Sequence, residues 1–298
     1  MTIRSTKRAR TISKSVPWTV AILALGICAC DLAGPTRATA QSDTDTRVES
    51  SGKFEYSLYA EVLAEFLDGN GRVDYRALKG DRAGLDQFIR LMRALDPAVV
   101  ESWSDEAKMA LWINAYNALT LQVIIDHYPI KSSFAKSLIY PKNSIRQIDG
   151  VWDELTHVVA GRQVTLGGIE HEILRKEFNQ PLVHMGLVCA SISCPTLRAE
   201  PYVGERLLDQ LGEQTVQFFS DGDKYRLDRR RERAYLSPIF DWFEEDFVRY
   251  QEEVEGKSGV SGKQAVFDFV NHHVETTDRV PGDYRISYLD YDWSLNEQ

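Results

Sequence analysis

The sequence predicts a helix-rich α+β fold, a single domain with a long buried central helix and a small mixed or antiparallel sheet. Several segments carry apolar residues at helical spacing, and one of them, residues 109–125, is apolar on nearly all sides. The segments typical of strands are short and scattered. Since no repeat or low-complexity segment divides the chain, its last ~245 residues are expected to share one core.

The first 40 residues are typical of an export signal. A basic start precedes an apolar run, residues 16–29, that is too short to span a bilayer comfortably. Cleavage after Ala40, which follows the small-x-small rule, is preferred to lipidation of Cys30 in an imperfect lipoprotein box. The predicted organisation is a signal peptide at 1–40, a flexible linker at 41–53 and a globular domain at 54–298.

The charge balance restricts the class of partner. The chain has 35 Lys and Arg residues against 44 Asp and Glu residues, and loss of residues 1–40 leaves 29 against 43, a net charge of −14. A general nucleic-acid binder needs a basic surface, so that class is excluded. We expect a periplasmic or secreted protein with an unidentified small-molecule or peptide substrate. Its only expected membrane tether is a lipidated Cys30, the less favoured alternative.

The first half of the domain is predicted to be mostly helical. Amphipathic helices are expected over residues 55–66 and 82–94, with a short strand at residues 73–75 between them. The longest helix begins after Ser104, a typical N-cap followed by two acidic residues, and ends at Pro129.

The second half is predicted to mix short strands with helices. The expected elements are strand-like residues 155–165, a helix at 166–178, a buried strand at 181–188, a helix at 203–219, a hairpin at 225–236, helices at 239–250 and 263–275, and an extended aromatic tail at 284–293.

Cys189 and Cys194 are the most informative pair in this region. In an oxidising compartment they are expected either to form a disulfide or to pack as small hydrophobic side chains. A third interpretation is catalytic: Pro195 is favoured at the first position of a helix, so Cys194 would be an N-cap residue whose thiol is activated by backbone N–H groups. A redox pair is less favoured, because the spacing is not CxxC.

His184 is the natural general base for Cys194. On a strand, His184 and Cys189 would face opposite ways, whereas Cys194 lies beyond a turn and is free of that restriction. The alternative is a hydrogen-bonded core histidine. Ser193 is expected either to line an oxyanion site or to satisfy loop amides.

Two other helices carry polar residues that this site needs. Asn114 and Asn117 lie in the apolar central helix and must serve either a neighbouring backbone or a polar site. Glu170, His171 and Arg175 share the preceding helix, where His171 and Arg175 lie on one face. They are either a surface polar stripe, or Glu170 or His171 orients His184. Asn114 and Glu170 are therefore candidate orienting residues, and the others are candidate binding residues.

A metal centre is the chief rival arrangement. His171, His184, Cys189 and Cys194 are zinc-type ligands, but their spacing does not match paired structural ligands. We therefore predict no metal and no cofactor.

Several separated motifs, in the expected order, resemble the domain of unknown function DUF547, and the resemblance identifies the chain as a bacterial exported member. It covers about residues 55–296 and implies that all nine candidate site residues occupy characteristic motif positions, without implying an activity. The motifs are Trp112-Ile-Asn114-Ala-Tyr116-Asn117-Ala118-Leu119-Thr120, Ile169-Glu170-His171-Glu-Ile-Leu174-Arg175, Val183-His184, Cys189-Ala-Ser-Ile-Ser193-Cys194-Pro195, Leu236-Ser237-Pro-Ile-Phe240-Asp-Trp242-Phe, Asp246-Phe247 and Tyr291-Asp292-Trp293-Ser-Leu295-Asn296.

Two functional hypotheses follow. The first is a Cys–His thiol hydrolase or acyl transferase with Cys194 as nucleophile and His184 as base. The alternative is a non-catalytic envelope binding or structural module with a Cys189–Cys194 disulfide.

Overall fold

The computed structural model describes residues 54–298. The predicted signal peptide, linker and lipidation site at Cys30 lie outside these residues. Within them, no helix has the length and hydropathy needed to cross a membrane.

Helices dominate the described chain, and the strands form two small sheets, as predicted. The helices are α1 (Ser57–Phe66), α2 (Tyr75–Gly80), α3 (Ala83–Ala94), α4 (Pro97–Glu101), α5 (Asp105–His127), α6 (Arg175–Phe178), α7 (Val183–Gly186), α8 (Leu207–Ser220), α9 (Ile239–Trp242), α10 (Glu244–Glu253) and α11 (Gly262–His273). The strands are β1 (His157–Val159), β2 (Arg162–Val164), β3 (Tyr225–Asp228), β4 (Arg233–Leu236) and β5 (Arg285–Tyr288). Strands β1 and β2 form an antiparallel hairpin, while β3, β4 and β5 form a mixed sheet in which β4 pairs antiparallel with β3 and parallel with β5.

The central helix α5 begins where its sequence predicts. The hydroxyl of Ser104 accepts a hydrogen bond from the backbone N–H of Ala107 at 3.2 Å, which caps the first turn, and Asp105 and Glu106 complement the helix dipole. Nearly every residue from Met109 to Ile125 is buried. The prediction of an enclosed central helix is confirmed.

The core has two clusters, and α7 lies between them. The first cluster surrounds α5, and the second lies among α8, α10, α11 and the mixed sheet. In α7, Val183 packs in the first cluster and Met185 in the second. His184, between these two residues, is therefore held at the junction of the two clusters.

Three local predictions were wrong. The segment predicted as a buried strand is the one-turn helix α7, so the expected alternation between His184 and Cys189 does not apply. Pro195 does not open a helix, because the chain is irregular until Gly204, and Cys194 is therefore not an N-cap residue. Val73 makes only isolated bridges, and helix α2 begins at Tyr75.

The predicted helix at 166–178 forms with a different geometry. It begins with seven residues of π-helix, Gly168–Leu174, and only then continues as α6. A π-helix is wider than an α-helix and is frequent at functional sites. This segment carries Glu170 and His171.

The C-terminal tail closes over the loop between the two cysteines. After β5, the chain runs back to the first cluster. There, the backbone N–H of Ile192 donates to Ser294 O at 2.9 Å, and the N–H of Asn296 donates to Ala190 O at 3.1 Å. The N–H of Val73 also donates to Asn296 O at 3.0 Å. The tail thus ties the cysteine loop to the start of the domain.

Candidate active site

A cavity of about 300 Å³ lies at the junction of the two clusters. It brings together five of the nine predicted site residues: Glu170, His171, His184, Cys189 and Cys194. Much of the remaining wall is aromatic, and it is formed by Tyr116, Trp152, Trp242, Phe243, Tyr291 and Trp293.

Cys189 and Cys194 form a disulfide bond. Three groups that can donate surround the sulfur of Cys194: the backbone N–H of Cys189 at 3.0 Å and the hydroxyls of Ser191 and Tyr291, each at 3.2 Å. The single proton of the Ser191 hydroxyl is shared with the hydroxyl of Tyr291, also at 3.2 Å. The sulfur of Cys189 contacts only the same two hydroxyls, at 3.4 and 3.5 Å. The environment of the pair is therefore asymmetric, with the stronger donor set at Cys194.

His184 is paired with Asp246. Its Nε2 lies 2.8 Å from Oδ2 of Asp246, and the ring stacks on Phe243 with centroids 4.1 Å apart. Burial lowers the pKa of His184, against the opposing effect of Asp246. Since a carboxylate only accepts, the neutral ring donates through Nε2, and Nδ1 is left as the basic nitrogen with no partner among the described residues.

Asp246 is the centre of a buried ionic cluster. Arg175 donates to it from Nε at 2.5 Å and from Nη2 at 3.1 Å, and Arg249 donates from Nη2 at 3.0 Å. Burial alone would raise the pKa of Asp246, but the hydrogen bonds from His184 and Arg175 lower it to about 2. Asp246 is therefore ionised at neutral pH and fixes the orientation of His184.

Glu170 provides a second titratable group in the cavity. Burial raises the pKa of Glu170 to about 7, although the charge of Arg175 opposes the shift. Its nearest hydrogen-bonding partner is the hydroxyl of Tyr116, at 3.5 Å. At the rim, Nδ1 of His171 accepts from Nη1 of Arg175 at 3.1 Å, as their spacing of four residues predicts.

Asn114 and Asn117 do not line the cavity. Asn114 exchanges two hydrogen bonds with the backbone of Tyr202, at 2.7 and 3.0 Å. Asn117 donates to Gly186 O and accepts from the N–H of Val188, both at 2.9 Å. Both amides therefore serve neighbouring backbone, the first of the two alternatives drawn from the sequence. Asn117 supports the segment between His184 and Cys189.

Two further candidates support the site from outside the cavity. The hydroxyl of Ser193 accepts from the backbone N–H of Asp292 at 2.8 Å, so it satisfies an amide of the C-terminal tail. Arg175 holds Asp246 and places its guanidinium 4.9 Å from the ring centre of Phe243. Both residues thus act through the groups that they position.

Three residues of the site were missing from the predicted set: Arg146, Asp246 and Tyr291. Asp246 and Tyr291 do occur in the quoted motifs, and their place in those motifs was the available signal. Arg146 lies in a stretch predicted only as irregular, and nothing in the sequence pointed to it.

The disulfide removes the two sulfur ligands of the rival zinc arrangement. Throughout residues 54–298, no group of three His, Cys, Asp or Glu side chains is placed to hold a metal ion.

Taken together, the fold and the site define a helix-rich α+β domain with a cysteine pair and an Asp–His pair facing one aromatic cavity. Residues 100–219 match the family model described as "Protein of unknown function, DUF547". The match covers α5 to α8 and both cysteines, whereas Asp246 and Tyr291 lie beyond it. No curated protein and no solved structure matches the chain.

Proposed function

We propose that the cavity is the active site of a thiol hydrolase or acyl transferase that works in the periplasm or outside the cell. Cys194 is the nucleophile, and the Asp246–His184 pair is the acid–base group. The observation that carries this proposal is the set of three donors around the Cys194 sulfur. Hydrogen bonds to a sulfur stabilise its thiolate form, which is the nucleophilic species. These donors replace the helix N-terminus that the sequence had suggested.

The disulfide is the resting form in this proposal. An external dithiol attacks the more exposed Cys189, and Cys194 leaves as a thiolate among its donors. The second thiol of the reductant then releases Cys189. The dithiol is oxidised by two electrons, and the protein disulfide is reduced to two thiols.

His184 acts on the substrate rather than on the thiol, because no hydrogen bond joins His184 to either cysteine. The Cys194 thiol ionises, and its proton passes through water to Nδ1 of the neutral His184 ring. The thiolate then attacks an acyl carbon and forms a thioester, while protonated His184 gives this proton to the departing group. Neutral His184 next removes a proton from water or an acceptor alcohol, whose oxygen attacks the thioester. The acyl product leaves and the thiolate returns. The hydroxyl of Tyr291, which lies 3.2 Å from the Cys194 sulfur and whose pKa burial raises, is the proposed donor to the oxyanion.

Two single-cysteine variants test the nucleophile. Cys189→Ser leaves Cys194 as a free thiol, and Cys194→Ser leaves Cys189 as the matched control. We expect Cys194 to react with iodoacetamide faster than Cys189, and to stay reactive at lower pH. Tyr291→Phe in the Cys189→Ser background should slow the reaction of Cys194 with iodoacetamide and raise the pH at which Cys194 becomes reactive. Equal rates for the two thiols over the whole pH range would reject the nucleophile.

A second candidate function is a non-catalytic envelope binding or structural module. The disulfide itself favours it, since the bond occupies the proposed nucleophile. Intact mass of the purified protein, alkylated with and without prior reduction, measures the fraction of disulfide. Activated esters are then offered to the reduced protein. A thiol-dependent burst of product supports the enzyme, while a quantitative disulfide with no burst after reduction supports the binding module.

A further inference from the structure

The guanidinium of Arg146 lies among three aromatic rings in the wall of the cavity. Its central carbon is 4.7 Å from the ring centre of Tyr140, 5.1 Å from that of Trp152 and 4.8 Å from that of Trp293. Cation–π contacts on several sides hold such a group in a fixed orientation.

Most of the Arg146 donors have no acceptor in the protein. Nη2 donates to the hydroxyl of Tyr140 at 2.7 Å, and the side chain makes no other hydrogen bond and no ion pair within residues 54–298. Four of its five N–H groups are therefore open. Arg175, on the other side of the site, uses four of its five N–H groups on Asp246, Glu245 and His171.

We infer that Arg146 binds an oxyanion of the substrate, a carboxylate or a phosphate, while an apolar part of the substrate lies on Trp242 and Trp293. A guanidinium with open donors matches both oxyanions in a bidentate geometry. This inference rests on the proposed function, because it names the substrate class for the same cavity. The substrate is then an acyl compound with an anionic group and an apolar or aromatic body.

Binding tests this inference without catalysis. The disulfide-bonded protein is titrated with three ligands of one aromatic body, namely 3-phenylpropionate, 3-phenylpropionamide and 2-phenylethyl phosphate. Tryptophan fluorescence reports occupancy, since Trp152, Trp242 and Trp293 line the cavity. We expect at least one of the two anions to bind saturably and the amide not to bind. The anion with the higher affinity shows whether the subsite prefers a carboxylate or a phosphate.

Arg146→Gln should weaken anion binding about tenfold or more, the size expected for a lost charge-assisted hydrogen bond, and Arg146→Lys should retain part of it. Arg162→Gln is the matched control, because Arg162 lies 5.3 Å from the ring centre of Trp112, away from this cavity. Circular dichroism confirms that each variant is folded. Equal affinities for amide and anions, or unchanged binding by Arg146→Gln, would overturn the subsite. Anion binding without thiol reactivity would reject the enzyme and keep the subsite.

A second inference comes from an independent feature, the loop at residues 131–142. Phe134, Leu138 and Ile139 are 85%, 75% and 76% exposed. The buried side chain of Gln147 supports this loop: its Oε1 accepts from the backbone N–H of Ser133 at 3.0 Å, and its Nε2 donates to Pro141 O at 3.0 Å. The exposed apolar side chains therefore stand on a hydrogen-bonded framework.

The charge around this loop is opposite to that of the whole chain. Residues 131–142 contain Lys131, Lys136 and Lys142 and no acidic residue, in a chain of net charge −9. Of these three lysines, only Lys136 has an ion pair within residues 54–298, with Asp149 at 2.5 Å. Exposed large apolar side chains beside basic ones are typical of proteins that bind the surface of an anionic membrane. We propose that this loop docks on an anionic lipid bilayer, independently of any lipidation at Cys30.

Vesicle co-sedimentation tests the docking. The full chain is mixed with phosphatidylcholine vesicles, with or without phosphatidylglycerol. We expect binding only with phosphatidylglycerol, weakened by salt and reduced about tenfold or more by the triple change Phe134→Ser, Leu138→Ser and Ile139→Ser. The wild type and all variants carry the same N-terminal segment, so any contribution of that segment to vesicle binding cancels in the comparison.

The matched control replaces three other partly exposed apolar residues, Leu208, Val216 and Val254, by serine. It should leave vesicle binding unchanged. Equal binding by the loop variant and the wild type would reject the loop as the docking surface. Concentration-dependent dimerisation that the loop variant abolishes, without vesicle binding, would identify a second copy of the chain as the partner instead.

Discussion

Replacing Asn117 by alanine should destabilise the domain and loosen the segment that joins His184 to Cys189. The Asn117 side chain is 3% exposed and makes two hydrogen bonds to backbone, to Gly186 O and from the N–H of Val188, both at 2.9 Å. Alanine makes neither bond. Both backbone groups would then be buried without a partner.

The expected cost follows from these two groups. An unsatisfied buried donor or acceptor costs about 1–3 kcal/mol, so the loss of both partners gives about 2–6 kcal/mol. Domains are stable by only about 5–15 kcal/mol, so this is a large share of the free energy of unfolding. The corresponding fall in Tm is about 4 °C or more for a domain of this size.

Urea unfolding followed by circular dichroism measures the cost from the change in midpoint at constant slope. Asn114→Ala is the matched control, because Asn114 makes the same pair of bonds to Tyr202 from the same helix. Both variants should lose similar stability, but only Asn117→Ala should speed reduction of the Cys189–Cys194 disulfide by dithiothreitol. A loss below about 1 kcal/mol, or equal reduction rates in the two variants, would refute the reasoning.

Three further changes have expected outcomes. Glu170→Gln should flatten the pH dependence of stability. Burial raises the Glu170 pKa from 4.5 to about 7, so the wild type loses up to about 3 kcal/mol of unfolding free energy as pH rises through that window. Urea unfolding at several pH values measures this loss, and an equal loss in the variant would contradict the prediction. Asp246→Asn should remove a stabilisation of up to about 2 kcal/mol that is present above pH 3.8 and lost as pH falls to about 2; acid titration of the Tm checks this. Gly186→Ala should cost about 1–3 kcal/mol, since a Cβ there would lie 2.8 Å from Cδ2 of Leu211, whereas Gly212→Ala, with nothing within 4 Å, should cost nothing in thermal unfolding.

Local signals explain which elements were predictable. Helix α5 has a capping serine, Ser104, and a long run of apolar residues, and these features suffice to place it. The segment at 181–188 has only eight residues, too few for periodicity to separate a buried strand from a helical turn. The apparent helix start at Pro195 lacked a following run of helix-forming residues, and no helix forms there.

The candidate site was only partly predictable, for a related reason. The cysteine pair and His184 lie close together in the sequence, so their convergence in one cavity could be expected. Asp246 is 62 residues from His184 and Tyr291 is 97 residues from Cys194, and only the tertiary fold brings them together. The roles of Asn114 and Asn117 depended on which backbone lies against α5, which no local pattern reveals.

The C-terminal tail has a consequence for the order of events during synthesis. Tyr291, a donor to the Cys194 sulfur, is made 97 residues after that cysteine. The side chain of Asn296 accepts a hydrogen bond from the hydroxyl of Tyr75 at 2.6 Å, and Asn296 is made 221 residues after Tyr75. Contacts over such separations form late, because the intervening chain must first be ordered. The newly made cysteine loop therefore lacks its hydrogen bonds to the tail, including the Tyr291 donor, until the final residues of the domain are in place.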